Sequence, residues 1–365
     1  MATTAGATER ELGRKMARGG SMRAVWKQEP GPGLQVGTAP LPVIGARDVL
    51  LKVRATSVCG TDTHIHAWDY WASHRLHPPI VIGHEACGTI VEVGRDVTGL
   101  EVGDFVSCES HIPCETCAQC RTGQRHICRN LKILGVDIQG SFAEYLAIPA
   151  VCAWKNPPDM KPEIASIMEP LGNAVYATLV EPVVGKRVVV LGGGPIGLWA
   201  IGIARACGAR QVLMTIKQEY SRSLAEAMGA DAVLHVDEVD AVEAIMDATG
   251  GHGADVVLEM SGAREAIRQG LTVLTKGGRF TAFGIPPGKV EIDLANDVIF
   301  KGARILGING RLMFDTWVQM AGLLESGAFD PTPVITHTLP LEEVEHAIQM
   351  MTSPDRDCGK VILLP

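Results

Sequence analysis

A glycine-rich turn between a predicted strand and a predicted helix constrains the second half of the chain. The apolar run 187–191 predicts a strand and residues 198–207 predict a helix. Glycines at this junction permit a tight turn, let the backbone approach a pyrophosphate, and leave the N–H groups of the helix facing the phosphates. We predict a dinucleotide site here, with a turn that binds no nucleotide as the alternative. The residues predicted to contact the cofactor are Gly192, Gly194, Pro195, Ile196 and Gly197.

Strands and helices alternate through the rest of this half. Helical segments such as 220–228 and 264–274 separate further predicted strands, which are 211–215, 232–236, 255–258, 279–283 and 304–306. This alternation predicts an α/β domain with a doubly wound parallel sheet. The longest apolar run, 188–204, approaches the length of a membrane span, but the three glycines and the proline inside it favour a strand, a turn and a helix.

The residue predicted to contact the cofactor ribose departs from the usual pattern. In this fold a carboxylate at the end of the second strand, about 20 residues after the turn, accepts hydrogen bonds from the ribose 2′-hydroxyl of NAD. Here that position is Ile216, and Lys217 follows it. A lysine can pair with the 2′-phosphate of NADP, or it can simply be an exposed surface residue. We therefore predict relaxed discrimination between NAD and NADP.

The first half of the chain has the pattern of a β-rich domain. Short β-like runs occur at 22–26, 49–54, 88–93 and 104–107, and glycines and prolines separate them. This pattern predicts a compact barrel or sandwich rather than alternating strands and helices.

A thiol, an imidazole and a carboxylate stand in one stretch of this first domain. They belong to Cys59, His84 and Glu85, with a tryptophan-rich loop predicted between them. Zinc takes sulfur, nitrogen and oxygen ligands, and a catalytic zinc keeps one coordination position open. Cys59 and His84 are distant in sequence, so only tertiary structure could bring them together. A buried cysteine and a separate core histidine are the alternative to a metal site.

Four further cysteines follow at the spacing Cys114-x-x-Cys117-x-x-Cys120-x7-Cys128. Four thiolates this close together can surround one ion tetrahedrally and close every coordination position, which is typical of a structural zinc. An iron–sulfur cluster and disulfides are the alternatives. A closed site would fix a segment that has little predicted regular structure.

Composition and charge limit the kinds of partner and the cellular compartment that we predict for the chain. The net charge of −8 and the absence of a basic block argue against nucleic acid and anionic membranes as partners. Residues 1–21 lack an apolar core, so they predict a mobile tail rather than a signal peptide, with a weak transit peptide as the alternative. Clustered cysteines without a secretion signal favour a reducing, cytoplasmic location.

Together these motifs resemble the zinc-dependent medium-chain dehydrogenase superfamily, from about residue 22 to residue 364. Within it the chain is most similar to the threonine dehydrogenases. The Cys/His/Glu sets are shared with alcohol and polyol dehydrogenases, whereas three features are more particular to threonine dehydrogenases: Trp68 with Trp71, His111, and Gly310 with Arg311. The resemblance implies a GroES-like catalytic domain over 22–170 and 311–365, a Rossmann domain over 171–310, and a homotetramer.

The resemblance also implies roles for individual residues. Cys59, His84 and Glu169 would hold the catalytic zinc, and Glu85 would be an exchangeable fourth ligand or a partner of the ligands. Thr61 and His64 would form a proton relay through the nicotinamide ribose, and His111 would lie near the substrate. Each could instead have a structural role: Glu169 as a helix-entry acid, Thr61 in a turn, His64 on the surface.

The implied activity is NAD(P)-linked oxidation of a secondary alcohol at one of two zinc ions per chain. The implied substrate is L-threonine. A sorbitol-like polyol or another amino alcohol is the enzymatic alternative. A catalytically silent protein that binds zinc and nucleotide is the alternative of a different class, and the intact Cys59, His84 and Glu169 set argues against it.

Overall fold

The computed structural model describes residues 20–365, which form two compact units. The first unit runs to Glu169 and also contains Ile335–Pro354 and Lys360–Pro365. The second contains Pro170–Val334 and Asp355–Gly359. The predicted tail, 1–21, lies outside the described residues as far as residue 19, and Ser21 begins the first strand.

The predicted domain boundary at residue 311 differs from this division. Residues 311–334, which the resemblance placed with the catalytic domain, group with the second unit. Two hydrogen bonds join residues 311–334 to other parts of this unit. The Trp199 indole donates to the carbonyl of Pro331 at 3.1 Å, and Arg311 Nη1 donates to Asn173 Oδ1 at 3.0 Å. The assignment of functional domains stays a proposal.

The strands and helices are numbered here in chain order. The strands are β1 (Ser21–Lys27), β2 (Gln35–Pro40), β3 (Asp48–Ser57), β4 (Ile80–Val81), β5 (Glu85–Val93), β6 (Phe105–Cys108), β7 (His111–Ile112), β8 (Lys132–Ile133), β9 (Tyr145–Pro149), β10 (Ala153–Lys155), β11 (Arg187–Leu191), β12 (Gln211–Ile216), β13 (Ala232–His235), β14 (Ala254–Glu259), β15 (Leu274–Ala282), β16 (Arg304–Gly307), β17 (Ile335–Pro340) and β18 (Lys360–Leu364). The α-helices are α1 (Gly60–Ala67), α2 (Tyr70–Arg75), α3 (Ala118–Arg121), α4 (Pro162–Ser166), α5 (Met168–Leu179), α6 (Pro195–Ala206), α7 (Tyr220–Ala227), α8 (Ala241–Ala248), α9 (Arg264–Val273), α10 (Asp315–Glu325) and α11 (Val344–Thr352).

The first unit is built on antiparallel sheets. The largest has seven strands in the order β10-β6-β5-β3-β18-β17, with β9 also paired to β3. Within it only β17 and β18 run parallel. Strand β3 is central and buries both of its faces, because Leu51 packs in one apolar cluster and Leu50 packs with Tyr145 in another. The predicted β-rich domain is confirmed.

The second unit contains the predicted parallel sheet. Its six strands lie in the order β13-β12-β11-β14-β15-β16, and every neighbouring pair is parallel. The strand order reverses between β11 and β14, where doubly wound folds bind ligands at the carboxyl ends of the strands. The apolar run 188–204 forms β11, the turn and most of α6. Among residues 20–365, no helix has the length and apolar composition needed to cross a membrane.

The predicted tryptophan-rich loop is largely helical. It contains α1 and α2, which are short helices that a periodicity of apolar residues would not reveal. Local capping accounts for both. Asp62 accepts from the backbone N–H of Cys59 at the start of α1, and Asp69 accepts from the N–H of Ala72 at the start of α2.

Candidate active site and metal centres

The fold brings Cys59, His84 and Glu85 together. One ligand atom from each lies within 4.8 Å of the others. Cys59 caps the start of α1, while Glu85 begins β5 directly after His84. His84 and Glu85 are buried and Cys59 is half-buried. The sequence suggested that only tertiary structure could join these residues, and the two segments do converge in one unit.

Asp62 contacts this cluster, although sequence reasoning assigned it no role. Its Oδ2 accepts from the Cys59 N–H at 2.9 Å, and its Oδ1 lies 3.8 Å from Nδ1 of His84. Burial raises the pKa of Asp62 to about 6. Burial also works to lower the pKa of His84, but the nearby Cys59 thiol and Asp62 carboxyl raise it to about 10. The one sequence signal that could have indicated Asp62 was its position as an acid three residues after the N-cap residue of a helix.

Glu85 is held by one carboxylate oxygen only. Ser57 Oγ and Lys360 Nζ both donate to Oε2, and Lys360 also donates to the Val58 carbonyl at 2.9 Å. Oε1 is buried and has no hydrogen-bond partner within the described part of the chain. A buried acceptor normally has a partner, and a bound cation would satisfy this one. Sequence reasoning missed Lys360, whose signal was a lysine inside an apolar final strand.

Glu169 and His111 are buried in the same unit but do not join the group. Glu169 lies in the first turn of α5, and its Oε1 accepts from Ser110 Oγ. His111 begins β7, and its backbone N–H donates to Glu109 Oε1 at 2.8 Å. The predicted metal role of Glu169 and the predicted substrate contact of His111 therefore stay predictions.

The two predicted relay residues lie on α1, the helix that Cys59 caps. Thr61 Oγ1 is 3.7 Å from Cys59 Sγ. His64 is exposed one turn further along, and its Nδ1 is 2.6 Å from Asp69 Oδ2. The arrangement extends from the sulfur toward solvent, and the relay role stays a prediction.

The four remaining motif cysteines form a second cluster. Their sulfurs lie within 4.8 Å of one another, with Cys117 Sγ 3.5 Å from Cys120 Sγ and 3.7 Å from Cys128 Sγ. All four are free thiols, which disagrees with the disulfide alternative. Tetrahedral zinc with bonds of about 2.3 Å places its sulfurs about 3.8 Å apart, close to these distances. The Thr116 hydroxyl and nearby backbone N–H groups lower the pKa of Cys114 to about 5, which favours the thiolate.

The glycine turn has the backbone geometry that its sequence predicts. Gly192 has φ +113°, a conformation that residues with a side chain rarely adopt. A Cβ on Gly197 would lie 2.2 Å from the Gly192 carbonyl oxygen, so α6 can approach β11 only with glycine there. Gly194 caps α6, with Pro195 and Ile196 as its first helical residues. The N-terminus of α6 therefore fits a phosphate group.

The predicted ribose position is a buried apolar residue. Ile216 ends β12 and is almost fully buried, whereas Lys217 is exposed. The next acid, Glu219, accepts from Arg222 Nε at 2.6 Å, and this bond lowers its pKa. Ser221, which sequence reasoning did not select, donates to the Gly193 carbonyl at 2.9 Å and fastens this segment to the glycine turn.

Comparison with known proteins agrees with this geometry. Residues 45–158 match the family described as "Alcohol dehydrogenase GroES-like domain", and residues 195–326 match "Zinc-binding dehydrogenase". The chain is 48% identical to an L-threonine 3-dehydrogenase from Bacillus velezensis over 95% of this chain and 100% of the relative. It is 46% identical to one from Pyrococcus horikoshii over 94% and 98% of the two chains.

Solved structures show the same fold. A zinc-binding dehydrogenase from Sinorhizobium meliloti, solved with NADP bound, superposes with a TM-score of 0.87 at 32% identity. The match covers 94% of this chain and 99% of that one. Both the GroES-like and the doubly wound parts of the predicted fold class are therefore confirmed. The chain belongs to the zinc-binding dehydrogenases, in the group formed by the L-threonine 3-dehydrogenases.

Proposed function

We propose that the chain is a zinc-dependent, NAD(P)-linked dehydrogenase that oxidises the 3-hydroxyl of L-threonine to give 2-amino-3-oxobutanoate. The observation that carries the proposal is the convergence of Cys59, His84 and Glu85 in one buried cluster. Relatives named L-threonine 3-dehydrogenase, 45–48% identical over nearly the whole chain, support the substrate.

The donor set suits one catalytic zinc ion. Cys59, His84 and a carboxylate would hold it, with Glu85 available through Oε1 and Glu169 as the further ligand that the resemblance implies. Zinc supplies Lewis-acid chemistry that lowers the pKa of a bound alcohol. The cysteine cluster would hold a second zinc that has no open position and so serves the fold.

The chain's own residues position the reactants and move the proton. Thr61 would accept the proton of the substrate hydroxyl while giving up its own, and His64, exposed on the same helix, would take the relayed proton and release it to water. The nicotinamide supplies the hydride acceptor. The glycine turn would fix the cofactor through its pyrophosphate, so that the nicotinamide carbon and the substrate carbon can be aligned.

A substrate panel tests this proposal. We expect L-threonine to reduce NAD(P) with a kcat/KM at least about tenfold above that of sorbitol, because a site built to bond an amino acid leaves buried polar groups unpaired with a polyol. D-threonine and L-serine are the matched controls for stereochemistry and for the 3-methyl group. Turnover of polyols with none of L-threonine would favour the sorbitol-like alternative, and no turnover of any alcohol would favour a silent binding protein.

Cofactor choice is the second prediction. Ile216 can neither bond a ribose 2′-hydroxyl nor repel a 2′-phosphate, and Lys217 is an exposed cation beside it. We expect NADP to be used with a kcat/KM comparable to or better than that of NAD. Ile216→Asp should raise the NAD-to-NADP ratio about tenfold or more, since a charge-assisted hydrogen bond contributes roughly 1.5–3 kcal/mol.

Ile216→Asn is the matched control, because asparagine is a polar side chain of nearly the same size as aspartate but carries no charge. It should move the cofactor ratio much less than the aspartate does. A parent that strongly prefers NAD and does not respond to the aspartate would show that another residue contacts the ribose.

The same proposal includes a cytoplasmic homotetramer without nucleic-acid or membrane partners, as the resemblance and the charge imply. An exposed sheet edge supports self-association. Strand β16 ends the six-stranded sheet, Ile305 on it is 43% exposed, and Ile299 and Phe300 nearby in sequence are 63% and 70% exposed. Sedimentation velocity of the purified chain tests this, and a monomer at micromolar concentration would contradict it.

A further inference from the structure

The turn after α1 directs Asp69 back toward His64. Trp68 ends the helix with φ 55° and ψ 45°, a left-handed conformation that is unusual for a bulky residue. The Lys27 ammonium lies 5.0 Å from the centre of the Trp68 ring and donates to the Gly33 carbonyl at 2.8 Å. The left-handed conformation of Trp68 reverses the chain direction, so that the Asp69 N–H donates to the His64 carbonyl at 3.4 Å.

Asp69 uses its two carboxylate oxygens for different partners. Oδ1 accepts from the Ala72 N–H at 2.9 Å and caps α2, while Oδ2 lies 2.6 Å from His64 Nδ1. The Ala72 N–H, and to a lesser extent His64, lower the pKa of Asp69. The cap fixes the carboxylate as an anion in contact with one ring nitrogen of a histidine that is itself 61% exposed.

We propose that Asp69 is a positioning residue for His64. Its carboxylate accepts from Nδ1–H, which fixes the tautomer in which Nε2 is unprotonated and can receive a proton. This inference rests on the relay proposed above. Nε2 takes the proton that leaves the substrate hydroxyl through Thr61, Asp69 stabilises the resulting imidazolium, and the ring then releases the proton to solvent.

Other charged groups on the neighbouring helices have partners of their own. On α2, Arg75 Nη2 donates to Asp137 Oδ2 at 2.6 Å, and His74 stacks on Tyr70 with ring centres 4.1 Å apart. On α11, Glu345 Oε2 is 2.8 Å from His66 Nε2. The Trp71 ring lies in an edge-to-face arrangement with His64 at 6.5 Å between centres and carries no charge.

Asp69→Asn tests the proposal because asparagine can still cap α2 but carries no charge. We expect the maximal kcat to fall about fivefold, since a less oriented base accepts the proton less efficiently. Nitrogen-15 shifts of the His64 ring should show loss of the Nδ1–H tautomer.

Two further variants separate positioning from a structural effect. Asp240 caps α8 through the same contact, Oδ1 to the Glu243 N–H at 2.9 Å, so Asp240→Asn should leave kcat and the His64 ring shifts unchanged. In a His64→Asn background, Asp69→Asn should cause no further loss of kcat, because Asp69 acts through His64.

An unchanged tautomer and an unchanged kcat in Asp69→Asn would overturn the proposal, as would an equal loss of kcat in the His64→Asn background. The ring shifts are measured without substrate. They therefore test the proposed tautomer even if the parent turns over no alcohol. Absence of turnover would contradict the proposed function but would not affect the result of the ring-shift measurement.

Discussion

Replacing Cys59 with serine is expected to lower L-threonine-dependent NAD(P) reduction by about a thousandfold or more and to leave a folded protein. Loss of even a residue that supports a metal ligand typically costs 10–100-fold, and this variant removes a proposed ligand itself. Serine keeps the size of the side chain, but its hydroxyl does not ionise near neutral pH as a metal-bound thiol does. Initial rates and circular dichroism of the purified variant measure the two effects.

Cys207→Ser is the matched control, since Cys207 is also a half-buried free cysteine but belongs to neither cluster. It should keep nearly full activity. A Cys59→Ser variant that retained most of the parent activity would show that the Cys59, His84 and Glu85 cluster is not the site of reaction.

Replacing Cys114 with serine is expected to act on stability instead. Structural zinc binds zinc-finger peptides with about 10–16 kcal/mol, and losing one of four thiolates should remove several kcal/mol of that stabilisation locally. The segment around the cluster contains only α3, a single 3₁₀ turn and two-residue strands, so the metal would be its main support. Urea unfolding and limited proteolysis between residues 113 and 130 measure the effect, with Cys59→Ser as the comparison.

We expect rapid cleavage in this segment for Cys114→Ser and slow cleavage for both Cys59→Ser and the parent. Equal resistance of all three proteins, with unchanged urea midpoints, would mean that the four cysteines do not hold a structural ion.

Local sequence signals predicted the doubly wound sheet well. The predicted strand 187–191 is β11 itself, and the predicted helix 198–207 begins three residues too late because Pro195 is its first residue. The glycines made this prediction possible, because the backbone geometry of the turn leaves no space for side chains. The helices α1 and α2 were not predicted, because short helices fixed by caps have no apolar periodicity.

The residues that complete the site were harder to predict because their contacts are distant in sequence. Lys360 reaches Glu85 across 275 positions, and no spacing rule links them. Asp62 and Asp69 are closer to their histidines, yet their roles depend on the caps and on the left-handed turn at Trp68. Spacing pointed to the thiol, imidazole and carboxylate groups that the fold brings together, while the neighbouring groups that contact them became visible only in the folded chain.

The number of zinc ions per chain tests the central claim most directly, namely that one metal serves catalysis and another serves the fold. Native mass spectrometry of protein purified without chelators should find two zinc ions in the parent and one in Cys59→Ser, which keeps the four-cysteine cluster. One ion or none in the parent, after chelator loss has been excluded, would contradict the account.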